Sequence, residues 1–119
     1  MRRSQDFFEI DLATARKPDF VDFLEAEFNR LVKVETLRFF GGWQFRAAGK
    51  QFAILMRDVL YFIADPAMRA ELEAAGSQPF SYHKDGRLVV VGRYFSAPDD
   101  VMDDIDKLHH WTARAINIS

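Results

Sequence analysis

Apolar residues at Phe20, Leu24, Phe28 and Leu31 follow one another at spacings of four, four and three, which predicts one buried stripe along a helix. Asp22, Glu25 and Glu27 fall off that stripe, and Lys17-Pro18-Asp19 supplies a start, with Pro tolerated at the first turn and acid favoured at the positive end of the dipole. From Val34 onward the period changes to two. Residues 34–40, 43–47, 51–57 and 59–63 predict strands, punctuated by Gly41-Gly42, Ala48-Gly49 and Arg57-Asp58. Connections this short predict an antiparallel meander.

Asp65-Pro66 then reads as a helix start, with Asp as N-cap and Pro at the first position. Met68, Leu72 and Ala75 mark its apolar side and Gly76 ends it. Residues 79–84 and 87–95 flank Asp85-Gly86, a favoured pair for a type I′ hairpin turn. Pro98 opens a third helix with an acidic first turn, whose Val101, Ile105, Leu108, Thr112 and Ala115 mark one face. Residues 1–16 follow neither period cleanly and predict a short N-terminal arm or helix. The order is helix, three to four strands, helix, two strands, helix. It predicts a single α+β domain over residues 1–119, an antiparallel sheet of five to six strands with helices on one face.

The stretch Arg38-Phe39-Phe40-Gly41-Gly42-Trp43-Gln44-Phe45-Arg46 sits at the centre of this plan. Its two glycines supply positions that can take positive φ or lie against another backbone, so it reads as strand, tight turn or bulge, strand. Trp43 is expected to be largely buried beside Gly42.

Composition narrows the function classes. A chain of 119 residues, 49% hydrophobic and with twelve Phe, suits one aromatic-rich core, with the remaining aromatic surface free for a partner. Absence of cysteine excludes disulfides, thiol nucleophiles and Cys-type metal sites and fits a reducing cytoplasm. The most apolar region, residues 51–64, is interrupted by Arg57-Asp58 and is shorter than the ~20 residues of a membrane span. A net charge of -2 gives no general attraction to nucleic acid or to an anionic membrane.

Candidate chemistry is sparse. His109-His110 are adjacent, so they point about 100° apart on a helix and lack metal-ligand spacing. Asp99, Asp100, Asp103, Asp104 and Asp106 lack the alternation and turn Gly of a calcium loop and suit a helix start instead. Gly41-Gly42 follows no phosphate-loop pattern, and His83 has no nucleophile motif beside it. The expectation is a non-enzymatic protein with no cofactor and no metal.

Charge placement is more informative. In residues 34–64 and 79–95, Arg38, Arg46, Lys50, Arg57, Lys84, Arg87 and Arg93 stand against Glu35, Asp58 and Asp85, a balance of +4 that leaves -6 for the rest. A basic sheet therefore faces acidic helices. Alternation groups Arg38 with Phe40, Arg57 with Leu55, and Arg87 and Arg93 with Val89, Val91 and Phe95. Arg beside apolar and aromatic groups is enriched at protein interfaces, so these residues are the expected interaction face, for a protein partner or a second copy of the chain. The alternative is a single-stranded nucleic-acid module in which rings and arginines on the sheet stack bases, although the overall charge argues against direct nucleic-acid binding by the domain alone.

Arg38-Phe39-Phe40-Gly41-Gly42, Gly49, Phe52-Ala53, Leu60-Tyr61, Asp65, Arg69, Gly76, Pro79-Phe80-Ser81-Tyr82, Gly86, Tyr94, Pro98 and Trp111 together resemble the N-terminal domain of the TfoX/Sxy family. The likeness runs from about Phe20 to the C-terminus. It implies a regulatory or interaction domain, because members are associated with the control of transformation competence in bacteria as co-regulators of transcription. Gly41, Gly42, Trp43, Tyr61, Pro79 and Phe80 are expected to serve the structure. Phe39 stands where the family commonly has Met, and Ile63 where Lys is usual, which removes a surface charge. The longer competence regulators carry a second helical domain, whereas this sequence stops at Ser119, directly after the third predicted helix.

Overall fold

The structure, a computed structural model, describes residues 17–119; the arm expected over residues 1–16 lies outside the described residues. Helix α1 (Asp19–Asn29) leads into β1 (Val34–Phe39), β2 (Gly42–Ala47), β3 (Lys50–Met56) and β4 (Val59–Ile63). Helix α2 (Pro66–Ala74), β5 (Pro79–Lys84), β6 (Arg87–Ser96), a 3₁₀ turn (Asp99–Met102) and α3 (Ile105–Ile118) complete the chain. All strands join one six-stranded sheet in the order β1-β2-β3-β4-β6-β5, with every pairing antiparallel. The predicted α+β class, strand number and element order hold.

Local chemistry explains the corners. Both loop residues of each of the four tight hairpins have positive φ: Phe40-Gly41, Ala48-Gly49, Arg57-Asp58 and Asp85-Gly86. That is the requirement of a type I′ turn, whose twist matches the flanking strands. Phe40 and Arg57 are bulky residues in this region, where a side chain clashes with its own backbone. At α2, the Asp65 carboxylate accepts from the Met68 amide at 2.8 Å, the expected N-cap. The third helix corrects the sequence reading: Pro98 starts only the 3₁₀ turn, and Asp104 caps a separate helix by accepting from the Asp106 and Lys107 amides. Two start signals lie six residues apart, and the chain uses both. Leu108, Thr112 and Ala115 are buried as expected, but Ile105 is exposed.

The core lies between the helices and one face of the sheet. Trp43, Phe45 and Ala47 of β2 share that face with Ala53 and Leu55 of β3 and with Leu60 and Phe62 of β4. Phe28 of α1 stands edge-on to Phe45 at 4.9 Å and to Phe52 at 5.3 Å. Phe52 reaches the core through a bulge: Phe45 pairs with Ala53 and Arg46 with Gln51, leaving Phe52 unpaired and turned inward beside Ala53. Leu31, expected on the α1 stripe, falls beyond the end of the helix and is exposed, and the stripe starts at the buried Val21 rather than at Phe20, which is half-buried. Two polar contacts tie the helices together, His109 Nε2 to Glu27 Oε1 at 2.9 Å and a bidentate Arg114–Glu71 pair at 2.8 Å. The Arg114 guanidinium, hydrogen-bonded to Glu71, holds that carboxyl below the usual glutamate range.

Gly41 and Gly42 have different duties. Gly41 has φ +81° with no atom within 4 Å of a would-be Cβ, so its need is conformational only. A Cβ on Gly42 would lie 2.2 Å from the Leu55 carbonyl oxygen and 2.6 Å from the Met56 sulfur. Gly41→Ala is expected to cost about 1 kcal/mol. Gly42→Ala should cost about 2–3 kcal/mol, because neighbouring backbone must move. Urea midpoints should therefore fall in the order wild type, Gly41→Ala, Gly42→Ala; the reverse order of the two variants would contradict the assignment.

Candidate functional site

The face of the sheet turned away from the helices carries no helix of its own among the described residues. It is nevertheless apolar. Ile54 and Met56 alternate with the core residues Ala53 and Leu55 and form its floor. The continuous apolar run from Phe52 to Met56 is what a strand covered on both faces looks like.

One wall comes from a departure in β6. Pro79 pairs with Phe95, but the next residue, Phe80, pairs with Val91, so Gly92, Arg93 and Tyr94 have no partner across β5. Residues 94–96 of β6 pair with β4, whereas residues 87–91 pair with β5 alone. Beyond Gly92 the hairpin is thus a two-stranded ribbon that leaves the sheet. Its inner face carries Phe80, Tyr82 and Lys84 with the paired Val91, Val89 and Arg87. Its outer face carries Ser81 and His83 with Val90 and Leu88, the last two 55% and 58% exposed.

The opposite wall is the β1–β2 turn, where Phe40 is 86% exposed and meets Phe39 edge-on at 4.8 Å. Floor and walls enclose a groove of about 690 Å³. Arg57, in the β3–β4 turn, reaches across to donate to the Ser81 carbonyl at 3.4 Å, and Lys84 lies on the ribbon side. No acidic side chain lines the groove among the described residues. Tyr94 closes it towards the sheet, its hydroxyl donating to Gln51, which in turn donates to Gln44 at 3.0 Å. Burial pushes the Tyr94 phenol above its ordinary value.

These positions regroup the residues expected on the interaction face. Phe40, Arg57 and Val91 line the groove, and Val89 and Arg87 share the ribbon face that forms its wall. Arg38 does not join them: it lies on the helix side of β1, its guanidinium 4.7 Å from the Trp43 ring centre. Phe95 is 3% exposed in the core, and Leu55, expected beside Arg57, is buried there too. Arg93 is exposed, its guanidinium 5.8 Å from the Tyr94 ring centre. Of the residues expected to be structural, Gly41 and Phe80 line the groove, and Phe80 meets Tyr61 edge-on at 5.0 Å. Trp43 is 8% exposed beside Gly42.

Phe39, Ile54, Met56, Tyr82, Lys84 and Tyr94 were not anticipated as groove residues. Two signals point to some of them. Phe80-x-Tyr82-x-Lys84 is an aromatic face that ends in a cation, and the unbroken apolar run in β3 needs cover on its second face.

Elsewhere the chemistry is quiet. His109 is engaged with Glu27, His110 stacks edge-on to Trp111 at 5.2 Å, and His83 lies on the outer ribbon face. Among the described residues no group of three His, Asp or Glu side chains is placed to hold a metal ion, and no helix is long and apolar enough to cross a membrane.

A family model described as the TfoX N-terminal domain matches residues 26–118, most of the chain and all six strands. No curated protein matches it.

Proposed function

Because this chain belongs to the TfoX N-terminal domain family, we propose that it acts by binding rather than by catalysis, as a regulatory module that docks a protein through the β5–β6 ribbon. The observation that supports this reading is the ribbon itself. Past Gly92 it has lost its partner on the β4 side, exposes Leu88 and Val90 on its outer face, and among the described residues keeps unpaired edges on both sides. Unpaired edges recruit another strand, and exposed apolar pairs recruit another surface. A link to transcriptional control of competence is the regulatory role that the family resemblance implies.

Sedimentation of the purified protein over a range from micromolar to millimolar tests it, with a second copy as the first partner. The weight-average mass should rise with concentration, and Leu88→Asp with Val90→Asp should abolish the rise while leaving the melting temperature near wild type. A strictly monomeric wild type that instead binds a labelled single-stranded oligonucleotide with steep salt dependence would favour the nucleic-acid alternative, since phosphate contacts release counterions. Little oligonucleotide binding is expected near physiological salt, because the acidic helices offset the basic sheet.

A further inference from the structure

We infer that the groove between the β1–β2 turn and the inner ribbon face is a binding site for a small apolar acid, a molecule with an aliphatic or aromatic body ending in a carboxylate. Its volume of about 690 Å³ lies within the roughly 300–1,000 Å³ of ordinary ligand pockets. Its lining is rings and apolar side chains, chiefly Phe39, Phe40 and Phe80 in the walls and Ile54 and Met56 in the floor, which suit an apolar body.

Charge selects the other end. Arg57 and Lys84 are the charged groups that line the groove among the described residues, and both are cations. Arg57 offers one N–H to the Ser81 carbonyl, so its head is held across the groove with further donors free for an anion. A cationic ligand would find no counter-charge, and a neutral one would leave both cations unused.

Backbone conformation points to the same place. Among the described residues Phe40 and Arg57 are the two bulkiest at positive φ, in turns where Asn-Gly would be relaxed, and both contribute to this groove. Strain held at two adjoining rims is the pattern of a site kept for its side chains. Phe40 is also the most exposed of the large apolar residues among those described, and its edge-on contact with the neighbouring Phe39 leaves most of its ring uncovered.

The probe is 8-anilinonaphthalene-1-sulfonate, a ring system with an anion, followed by fluorescence and displaced by decanoate or by 1-decanol. Decanoate should displace it saturably, and at least about tenfold more effectively than the neutral alcohol. Arg57→Gln with Lys84→Gln should weaken decanoate by at least about tenfold and leave 1-decanol unchanged. Phe40→Ser, an exposed turn position that does not threaten the fold, should weaken both. Equal displacement by acid and alcohol, an unchanged response in the Arg57/Lys84 variant, or no saturable displacement up to about millimolar decanoate would each overturn the assignment. Leu88→Asp with Val90→Asp, on the other face of the ribbon, separates this site from the docking surface: the pair should abolish association yet leave decanoate displacement intact.

Discussion

Phe28→Ala should lower the unfolding free energy by about 4–5 kcal/mol, at the upper end for a buried aromatic truncation. Phe28 is fully buried and is the ring through which α1 meets the sheet, edge-on to both Phe45 and Phe52. Each such aromatic pair adds about 0.5–1.5 kcal/mol beyond the area it buries. The bulge that turns Phe52 inward means that two neighbouring strands present rings to one helix position, so the cavity left by Ala has rigid walls and collapses little. Phe28→Leu keeps most of the volume and should cost about 1–2 kcal/mol. Urea denaturation with a common slope checks both. A loss below about 2 kcal/mol for Ala would mean that the neighbours fill the cavity.

Trp43→Ala should cost about 3–4 kcal/mol. Its indole is buried on the helix side of β2, where Gly42 lets the strand lie against Leu55 and Arg38 covers the outer ring face. The guanidinium is exposed, so Arg38→Ala should cost no more than about 1 kcal/mol, the worth of an exposed cation–π contact. The contrast between the two substitutions is the informative quantity. If Arg38→Ala approached the cost of Trp43→Ala, Arg38 would be holding the β1 edge closed rather than resting on the indole. Near-wild-type stability of Trp43→Ala would show that the indole contributes little to the core.

The proposed binding surfaces both depend on the ribbon, one on each face. Its outer face offers Leu88 and Val90 to a protein, and its inner face shelters a groove that the sheet floor completes. Occupancy of the groove and docking on the ribbon therefore involve the same two strands, although the side chains involved are different.

Each helix and strand is specified by signals within a few residues of it. Helical spacing in α1, two-residue alternation from Val34, the Asp65-Pro66 cap and the Asp85-Gly86 turn are local signals, set by hydrogen bonds and sterics within a few residues. For that reason β4 and β5 were legible to the residue and the other strands to within one residue at either end. Gly41 and Gly42 were legible as a turn and a close backbone contact because Gly takes positive φ without steric cost and has no Cβ to meet a neighbouring strand. Tertiary structure alone decided which face each side chain occupies. Val91 and Phe95 are four residues apart, which strict alternation places on one face, yet Val91 lines the groove and Phe95 is in the core. Gly92–Tyr94, which have no partner across β5, reverse the phase between them, and that irregularity exists only because β6 pairs with β4 at one end and with β5 at the other. Arg38 and Phe40 were separated similarly, when the turn took Phe40 out of β1 and left Arg38 over Trp43. A period of two carries no memory across a bulge, so the groove became visible only when the strands were paired.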